Sequence, residues 1–242
     1  MKLLRPAIAP FALIALAASA AQAQYSNDFE SGVGPNLSVS SGTLATLHTP
    51  GACTSATYCT NFLGLSSTAP QPLDNHTVSL TLTGLSAHTG GTLSFSLFIL
   101  ESWDGDGSQG FGPDGFTVTA GGTTLLNTTF GIALGNQHYP GNIPGPTVAR
   151  RTGAVENNTL GYNGWGNSVY EVVLPFTSSA PNLVITFAGS GLQGWGDEGW
   201  GIDNLEVTLD GVAAVPEPST YALLAGGLAA LGAVARRRRV AS

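Results

Sequence analysis

The chain has 242 residues, of which 43% are hydrophobic and only 10% are charged, and its formal net charge is −7 at pH 7. Six of the eight basic residues lie near the two ends, so residues 24–211 hold two arginines against 14 acidic side chains, a net charge near −12. Such a surface repels nucleic-acid phosphates and anionic lipids and attracts cations, which excludes nucleic acid as a partner.

The N-terminal segment has the pattern of a secretory signal peptide. Lys2 and Arg5 precede the apolar residues 7–18, and Ala21-Gln22-Ala23 forms a small-x-small cleavage site. The sequence therefore predicts a signal peptide helix at residues 1–23 that signal peptidase removes. The alternative is an uncleaved membrane anchor, which the short apolar region and the well-placed cleavage triplet disfavour.

The chain contains two cysteines, Cys53 and Cys59, separated by five residues. In an exported chain, two cysteines this close together favour a disulfide that closes a small loop. A metal site is the alternative, but it needs more ligands than two thiols, and no others lie nearby in the sequence.

Residues 24–211 are enough for one domain with a full core, and no segment with helical periodicity stands out in them. Short alternating runs separated by glycine and proline predict an all-β domain, a single jelly-roll-type antiparallel β-sandwich. The Gly121-Gly122 pair predicts a two-residue hairpin turn, and residues 131–167 read as long surface loops. The predicted strands are Thr77–Thr83, Thr92–Glu101, Gly115–Ala120, Thr123–Phe130, Ser168–Phe176, Leu183–Gly189 and Trp200–Leu209.

Carboxylates occur at inward-facing positions of three predicted strands. Side chains alternate between the faces of a strand, and Glu101, Asp114 and Asp203 share the parity of the apolar residues in their strands. The loop between the first two of these strands adds Asp104 and Asp106. We therefore expect a group of carboxylates at one end of the sandwich.

A calcium ion would explain this group. Burying an ionised carboxylate without a partner costs several kcal/mol, and lysine and arginine are almost absent from this part of the chain. Ca²⁺ accepts six to eight oxygen ligands, so the sequence predicts a structural Ca²⁺. The alternative is that these acids cap turns by accepting hydrogen bonds from backbone amides.

Tryptophans lie in glycine-rich or acidic turns. Trp103, Trp165 and Trp195 are candidate glycan contacts, because an exposed aromatic ring can stack on a sugar. The alternative is that they close the ends of the hydrophobic core, and Trp200, beside the last strand, fits that alternative better.

No catalytic pattern stands out in the sequence. Glu101, Glu171 and Glu198 could supply the two carboxyl groups of a glycoside hydrolase, but their spacing does not single out a pair. The four histidines are scattered, and there is no Gly-x-Ser-x-Gly motif. The sequence therefore predicts a protein that is not an enzyme.

Most of residues 27–210 resemble the jelly-roll domains of secreted bacterial proteins, which are similar to lectin-like and galactose-binding-like sandwiches. The segments that carry this resemblance are residues 28–32, 102–105, 112–116, 192–194 and 197–204. In such domains a calcium ion usually has a structural role. The resemblance implies metal ligands at Glu101, Asp114 and Asp203.

The C-terminal residues combine a polar motif, an apolar run and a basic tail. Pro216-Glu217-Pro218 precedes 15 apolar-rich residues, 221–235, and the basic tail consists of Arg236, Arg237, Arg238 and Arg239. This arrangement, residues 212–242, resembles the PEP-CTERM sorting signal of Gram-negative bacteria. The apolar run is shorter than the roughly 20 residues of a usual transmembrane helix, which suits a temporary anchor.

The resemblance implies a membrane-embedded exosortase that recognises the Pro-Glu-Pro segment and removes the tail. A plain C-terminal anchor without processing is the alternative. The arginines would stay on the cytoplasmic side, so the domain would be exported and then reach the cell surface or the extracellular matrix. The leading hypothesis is a non-catalytic surface or matrix protein with a structural Ca²⁺. The second is a calcium-dependent carbohydrate-binding module for exopolysaccharide, and the third is a glycan hydrolase.

Overall fold

The computed structural model describes residues 22–66, 69–211 and 226–228. The chain divides into a compact unit of residues 21–212 and a second unit formed by residues 1–20 and 213–242. Of the second unit only the helical residues 226–228 are described, so residues 1–21 of the predicted signal peptide helix and the Pro-Glu-Pro and arginine segments of the sorting motif lie outside the described residues. No helix in the described part of the chain has the length and apolar character needed to cross a membrane.

The regular secondary structure described in the compact unit consists of β-strands. In chain order the described strands are β1 (Gln22–Asn27), β2 (Leu37–Val39), β3 (Thr43–His48), β4 (Asn61–Ser66), β5 (Thr77–Thr83), β6 (Gly90–Glu101), β7 (Gly115–Ala120), β8 (Thr123–Thr129), β9 (Asn136–Gln137), β10 (Val148–Ala149), β11 (Glu156–Asn157), β12 (Asn167–Phe176), β13 (Asn182–Ser190) and β14 (Glu198–Asp210).

These strands form two main antiparallel sheets. The larger sheet has the order β11-β12-β6-β14-β4-β3, with β1 also paired to β14, and the smaller has the order β2-β5-β13-β7-β8. Many neighbours in a sheet are far apart in sequence, as in a jelly-roll-type connection. The predicted antiparallel β-sandwich is confirmed.

The main core lies between the two sheets. Alternate residues of β5, β7 and β13 are buried, as expected for strands with one face toward the core. Aromatic rings connect the layers: Phe95 of the larger sheet lies 5.2 Å from Phe187 of the smaller, and Trp200 lies 5.1 Å from Phe116, centroid to centroid. Edge-to-face contacts of this kind add to the stability gained by burial alone.

A second apolar cluster covers the outer face of the larger sheet. Its fully buried strand residues are Phe62, Phe98, Leu100 and Val169, and Tyr58 packs edge-on against Phe98 at 5.9 Å. Tyr58 belongs to the small loop closed by a disulfide between Cys53 and Cys59, whose Cα atoms are 5.7 Å apart. The disulfide loop thus covers apolar surface that would otherwise face water.

The predicted two-residue hairpin turn is present between β7 and β8. Gly121 and Gly122 have φ angles of +56° and +81°, and they connect the paired residues Ala120 and Thr123 as a two-residue turn.

Strand β1 begins at Gln22, within the segment that the predicted cleavage would remove, and its pairing with β14 shifts register before Tyr25. Signal peptide removal therefore stays a prediction.

Candidate metal centre and the adjoining cavity

Three carboxylates converge at one end of the sandwich. Asp104, Asp114 and Glu198 each place a carboxylate oxygen within 4.8 Å of the other two. Their exposed fractions are 5%, 0% and 0%, so the group is shielded from solvent. We refer to these three residues as the acidic triad.

The three residues of the triad lie at the ends of strands from both sheets and in the loop between β6 and β7. Glu198 is the first residue of β14 in the larger sheet, and Asp114 directly precedes β7 in the smaller sheet. Asp104 lies in the loop after β6, where its backbone N–H donates to the Asp114 carboxylate. The buried Trp103 indole N–H donates to the Gly199 carbonyl at 2.9 Å, which ties this loop to β14.

Burial makes the charged forms of the triad costly. Desolvation raises the pKa of Asp114 to about 6 and that of Glu198 to about 8. The charge of Asp114 raises the pKa of Glu198 further, whereas a hydrogen bond from Glu198 lowers the pKa of Asp114. Desolvation also raises the pKa of Asp104, with a further contribution from Asp197. Within residues 22–66 and 69–211 the only ion pair joins His76 and Asp74, so no lysine or arginine neutralises the triad.

One buried carboxylate oxygen of the triad lacks a hydrogen-bond donor among the described residues. Asp114 Oδ1 is buried and accepts no hydrogen bond from the described residues. The carboxyl groups of Asp114 and Glu198 can form a hydrogen bond with each other if one of them is protonated. Glu198 Oε2 accepts the Gln193 backbone N–H at 2.6 Å. A buried acceptor without a donor, surrounded by oxygen atoms, fits the ligand set of a hard cation.

The structure brings together two of the five predicted metal ligands and adds one that the sequence reasoning missed. Asp104 and Asp114 meet as expected, whereas the third member, Glu198, lies before the predicted start of the last strand. Glu198 has the same parity as the inward residues Trp200 and Ile202. Extending the predicted strand by two residues would have identified it.

Glu101 does not join the triad. Although it pairs with Glu198 across the β6–β14 ladder, its φ angle of +67° breaks the alternation at the strand end. Its carboxylate accepts the backbone N–H of Trp165 at 2.7 Å, and its own N–H donates to the Gly166 carbonyl at 2.8 Å. The parity argument fails here because a left-handed residue redirects its side chain.

Asp106 and Asp203 also lie apart from the triad. Asp106 caps a turn by accepting the Ser108 N–H at 3.1 Å, which is the alternative that the sequence left open. At Asp203 the register of β14 shifts, and Asn204 adopts a φ angle of +51°. This bulge reverses the parity, so Asp203 accepts a hydrogen bond from Thr60 at 2.8 Å instead of facing the core.

An open cavity of about 320 Å³ adjoins the triad. Phe111, Leu134 and Trp165 form its apolar side, and Asp104, Gln193 and Asp197 are among its polar lining residues. Because Asp104 belongs both to the triad and to this wall, the two features are continuous.

The three tryptophans predicted to contact glycan have different environments. Trp103 is fully buried and packs against Phe130 at 6.1 Å, so the prediction for it is wrong: it closes the core, as the alternative held. Trp165 is 63% exposed and lines the cavity. Trp195 is 43% exposed and is not among the residues that line the cavity.

Several solved structures are similar to this chain at low identity. The K3 cleaved adhesin domain of Lys-gingipain from Porphyromonas gingivalis W83 shares 13% identity over 77% of this chain and 99% of that chain, with a TM-score of 0.44. The C-terminal CBM6 of LamC, a marine laminarinase from Zobellia galactanivorans, shares 13% over 77% and 92%, with a TM-score of 0.31. A family 35 carbohydrate binding module from Clostridium thermocellum shares 10% over 78% and 98%, with a TM-score of 0.31.

Sequence comparison identifies the C-terminal end of the chain. No curated protein sequence matches the chain. Residues 214–239 match the family model of the PEP-CTERM protein-sorting motif, which confirms the predicted sorting signal and implies export, C-terminal membrane anchoring and exosortase processing. The chain therefore carries a PEP-CTERM sorting motif behind its β-sandwich.

Proposed function

We propose that this protein is an exported, non-catalytic component of the cell surface or extracellular matrix whose β-sandwich binds a structural Ca²⁺ at Asp104, Asp114 and Glu198. Signal peptidase removes residues 1–23, and residues 212–242 hold the chain in the membrane until an exosortase cuts at the Pro-Glu-Pro segment. The basic tail stays on the cytoplasmic side during this step.

The observation that carries the calcium assignment is the buried triad without a cationic partner. A shared proton would remove one negative charge and leave two, whereas a divalent cation neutralises two and is coordinated by all three carboxylates. All the available side-chain ligands are oxygen atoms, which favours a hard cation over zinc or copper. Ca²⁺ suits a buried carboxylate site better than Mg²⁺, which dehydrates reluctantly and keeps several waters.

The cation would act as a connection between the two sheets. Glu198 opens β14 of the larger sheet, and Asp114 leads into β7 of the smaller sheet. Coordination of both carboxylates by one ion would hold this end of the sandwich closed, and it would fix the loop that contains Asp104. The expected role is therefore structural.

The same burial argues against catalysis by the triad. Asp114 and Glu198 are fully buried, so a substrate has no access to them. The other glutamates considered for hydrolysis are engaged elsewhere: Glu101 accepts the Trp165 N–H, and Glu171 accepts hydrogen bonds from Tyr58 and Ser96.

The calcium assignment is tested by thermal unfolding of the full chain in mild detergent, first stripped with EDTA and then supplied with Ca²⁺. A ligand that binds only the folded state stabilises it by about 2.7 kcal/mol at a hundredfold excess over Kd. We expect a clear rise in Tm with Ca²⁺ and a smaller one with Mg²⁺ at equal concentration.

Two variants locate the ion. Asp114→Asn should abolish the rise, whereas Asp203→Asn, a buried carboxylate outside the triad, should keep it. A protein that metal analysis shows to be ion-free, and whose Tm does not respond to Ca²⁺, would refute the assignment. A response that disappears only with Asp203→Asn would restore the site expected from strand parity.

Carbohydrate binding is the second candidate function. The specific observation in its favour is Trp165, whose ring is 63% exposed beside a cavity that also contains polar acceptors. An exopolysaccharide of the surrounding matrix would be the partner.

A further inference from the structure

The cavity beside the acidic triad combines an apolar side with a group of hydrogen-bond acceptors. Phe111 and Leu134, which are 55% and 38% exposed, lie on its apolar side. Asp197, whose carboxylate also accepts the Ser102 hydroxyl at 2.6 Å, and Gln193 line the polar side of the cavity. The volume of about 320 Å³ is at the low end of the range for small-ligand sites.

We propose that this cavity binds one unit of an uncharged polysaccharide, with Trp165 stacked on a sugar ring and the hydroxyl groups bound by Asp197 and Gln193. A pyranose ring has an apolar C–H face and a rim of hydroxyl groups, which is the combination that this cavity complements. The electron-rich face of an aromatic ring attracts such C–H groups. Carboxylate oxygens only accept hydrogen bonds, and sugar hydroxyls supply the donors.

Trp165 is exposed, yet its backbone is held in place. Glu101 accepts the Trp165 N–H at 2.7 Å and donates its own N–H to the carbonyl of Gly166 at 2.8 Å. These two bonds anchor the Trp165 segment to the end of β6. A ring whose backbone is already ordered loses less conformational entropy on binding, so it can serve as a stacking surface at lower cost. Glu101 is thereby a positioning residue for the site.

The charge of the domain restricts the ligand class. Residues 24–211 carry a net charge near −12, and Asp104 and Asp197 line the cavity itself. An anionic polysaccharide would be repelled by both, and coordination of a cation by the triad would not change the overall sign. A folded partner protein is too large for a cavity of this volume, which leaves an uncharged saccharide as the best match.

This inference rests on the second candidate function above and gives it a site and a ligand class. Affinity electrophoresis of the full chain tests it, in gels containing hydroxyethylcellulose, dextran or galactomannan as uncharged probes and alginate as the anionic probe. A polyoxyethylene detergent is used because it carries no sugar. We expect at least one uncharged polysaccharide to retard the protein and alginate to have no effect.

Trp165→Ala should weaken this retardation by about tenfold or more, the effect of removing a central aromatic contact. Trp165→Phe should keep part of the binding, and Trp195→Ala, an exposed tryptophan outside the cavity, should keep all of it. Absence of retardation by every uncharged probe, retardation by alginate alone, or undiminished binding by Trp165→Ala would each overturn the proposal.

The same samples separate this proposal from the calcium assignment. Trp165→Ala leaves the triad intact, so its Tm should rise with Ca²⁺ as that of the unmodified protein does. A Tm response to Ca²⁺ without binding to any uncharged probe refutes the saccharide site alone. Binding that depends on Trp165, without a Tm response, refutes the calcium assignment alone.

Discussion

Replacing Asp203 by asparagine should make the protein more stable at neutral pH. The Asp203 carboxylate is 1% exposed, and desolvation raises its pKa to about 6, with further contributions from Glu30 and Asp28. It accepts hydrogen bonds from the Thr60 hydroxyl at 2.8 Å and from the Asn204 N–H at 2.7 Å. An asparagine can keep both contacts, because its carbonyl accepts from Asn204 and its amide donates to the hydroxyl oxygen.

The magnitude follows from the pKa difference between the folded and unfolded states. The folded state binds the Asp203 proton more tightly than the unfolded state, whose pKa is near the ordinary 3.8. The contribution of Asp203 to stability is therefore most favourable below pH 4 and becomes less favourable as the pH rises from about 4 to about 7. Each pH unit of difference corresponds to about 1.4 kcal/mol, which sets a ceiling of about 3 kcal/mol. Relaxation around the charge lowers this, so we expect a gain of about 1 to 2 kcal/mol.

Urea denaturation at fixed Ca²⁺ measures this effect through the fluorescence of the buried Trp103 and Trp200. At pH 7.5 the midpoint of Asp203→Asn should exceed that of the unmodified protein, and at pH 4.5 the difference should fall to about a third of its value at pH 7.5. Asp210→Asn, the same charge change at an exposed position of β14, should have almost no effect at either pH. An Asp203→Asn variant that is less stable at pH 7.5 would show that the ionised carboxylate has a stabilising partner, and the reasoning would be wrong.

Two further predictions concern packing and sorting. Gly201→Ala should lower stability by about 1 to 3 kcal/mol in the same urea assay, because a Cβ at this position would lie 2.3 Å from the Phe62 ring and 3.2 Å from the Leu63 carbonyl oxygen. Gly51→Ala has no neighbour within 4 Å and is the matched control. Glu217→Ala should leave the full chain in the membrane fraction, because the exosortase would no longer recognise the motif; normal release would contradict this role.

The strands that alternate in sequence were predicted correctly. The bounds of β5 and β7 agree with the prediction, since one face of each packs on the core and the other faces water. Strand β4 was missed because four consecutive residues are buried, so no alternation is visible in the sequence. Its outer face is covered by the second apolar cluster, to which Phe62 contributes. Only the neighbouring elements explain that burial.

The candidate site was predicted in part, for similar reasons. Asp104 and Asp114 were expected at one end of the sandwich, and the structure brings them together. Glu198 was missed because the predicted strand began two residues too late. Glu101 and Asp203 were assigned to the site by parity, which a left-handed residue and a bulge each interrupt.

The sequence alone determined the sorting motif, the all-β class and the presence of carboxylates without basic partners. Each of these depends on residue types and on local order along the chain, which can be read without a fold. The tertiary structure decided which carboxylates meet, and that Trp103 is buried while Trp165 is exposed. Those outcomes depend on strand register and on single backbone angles, since a shift of one residue turns a side chain to the opposite face of its sheet.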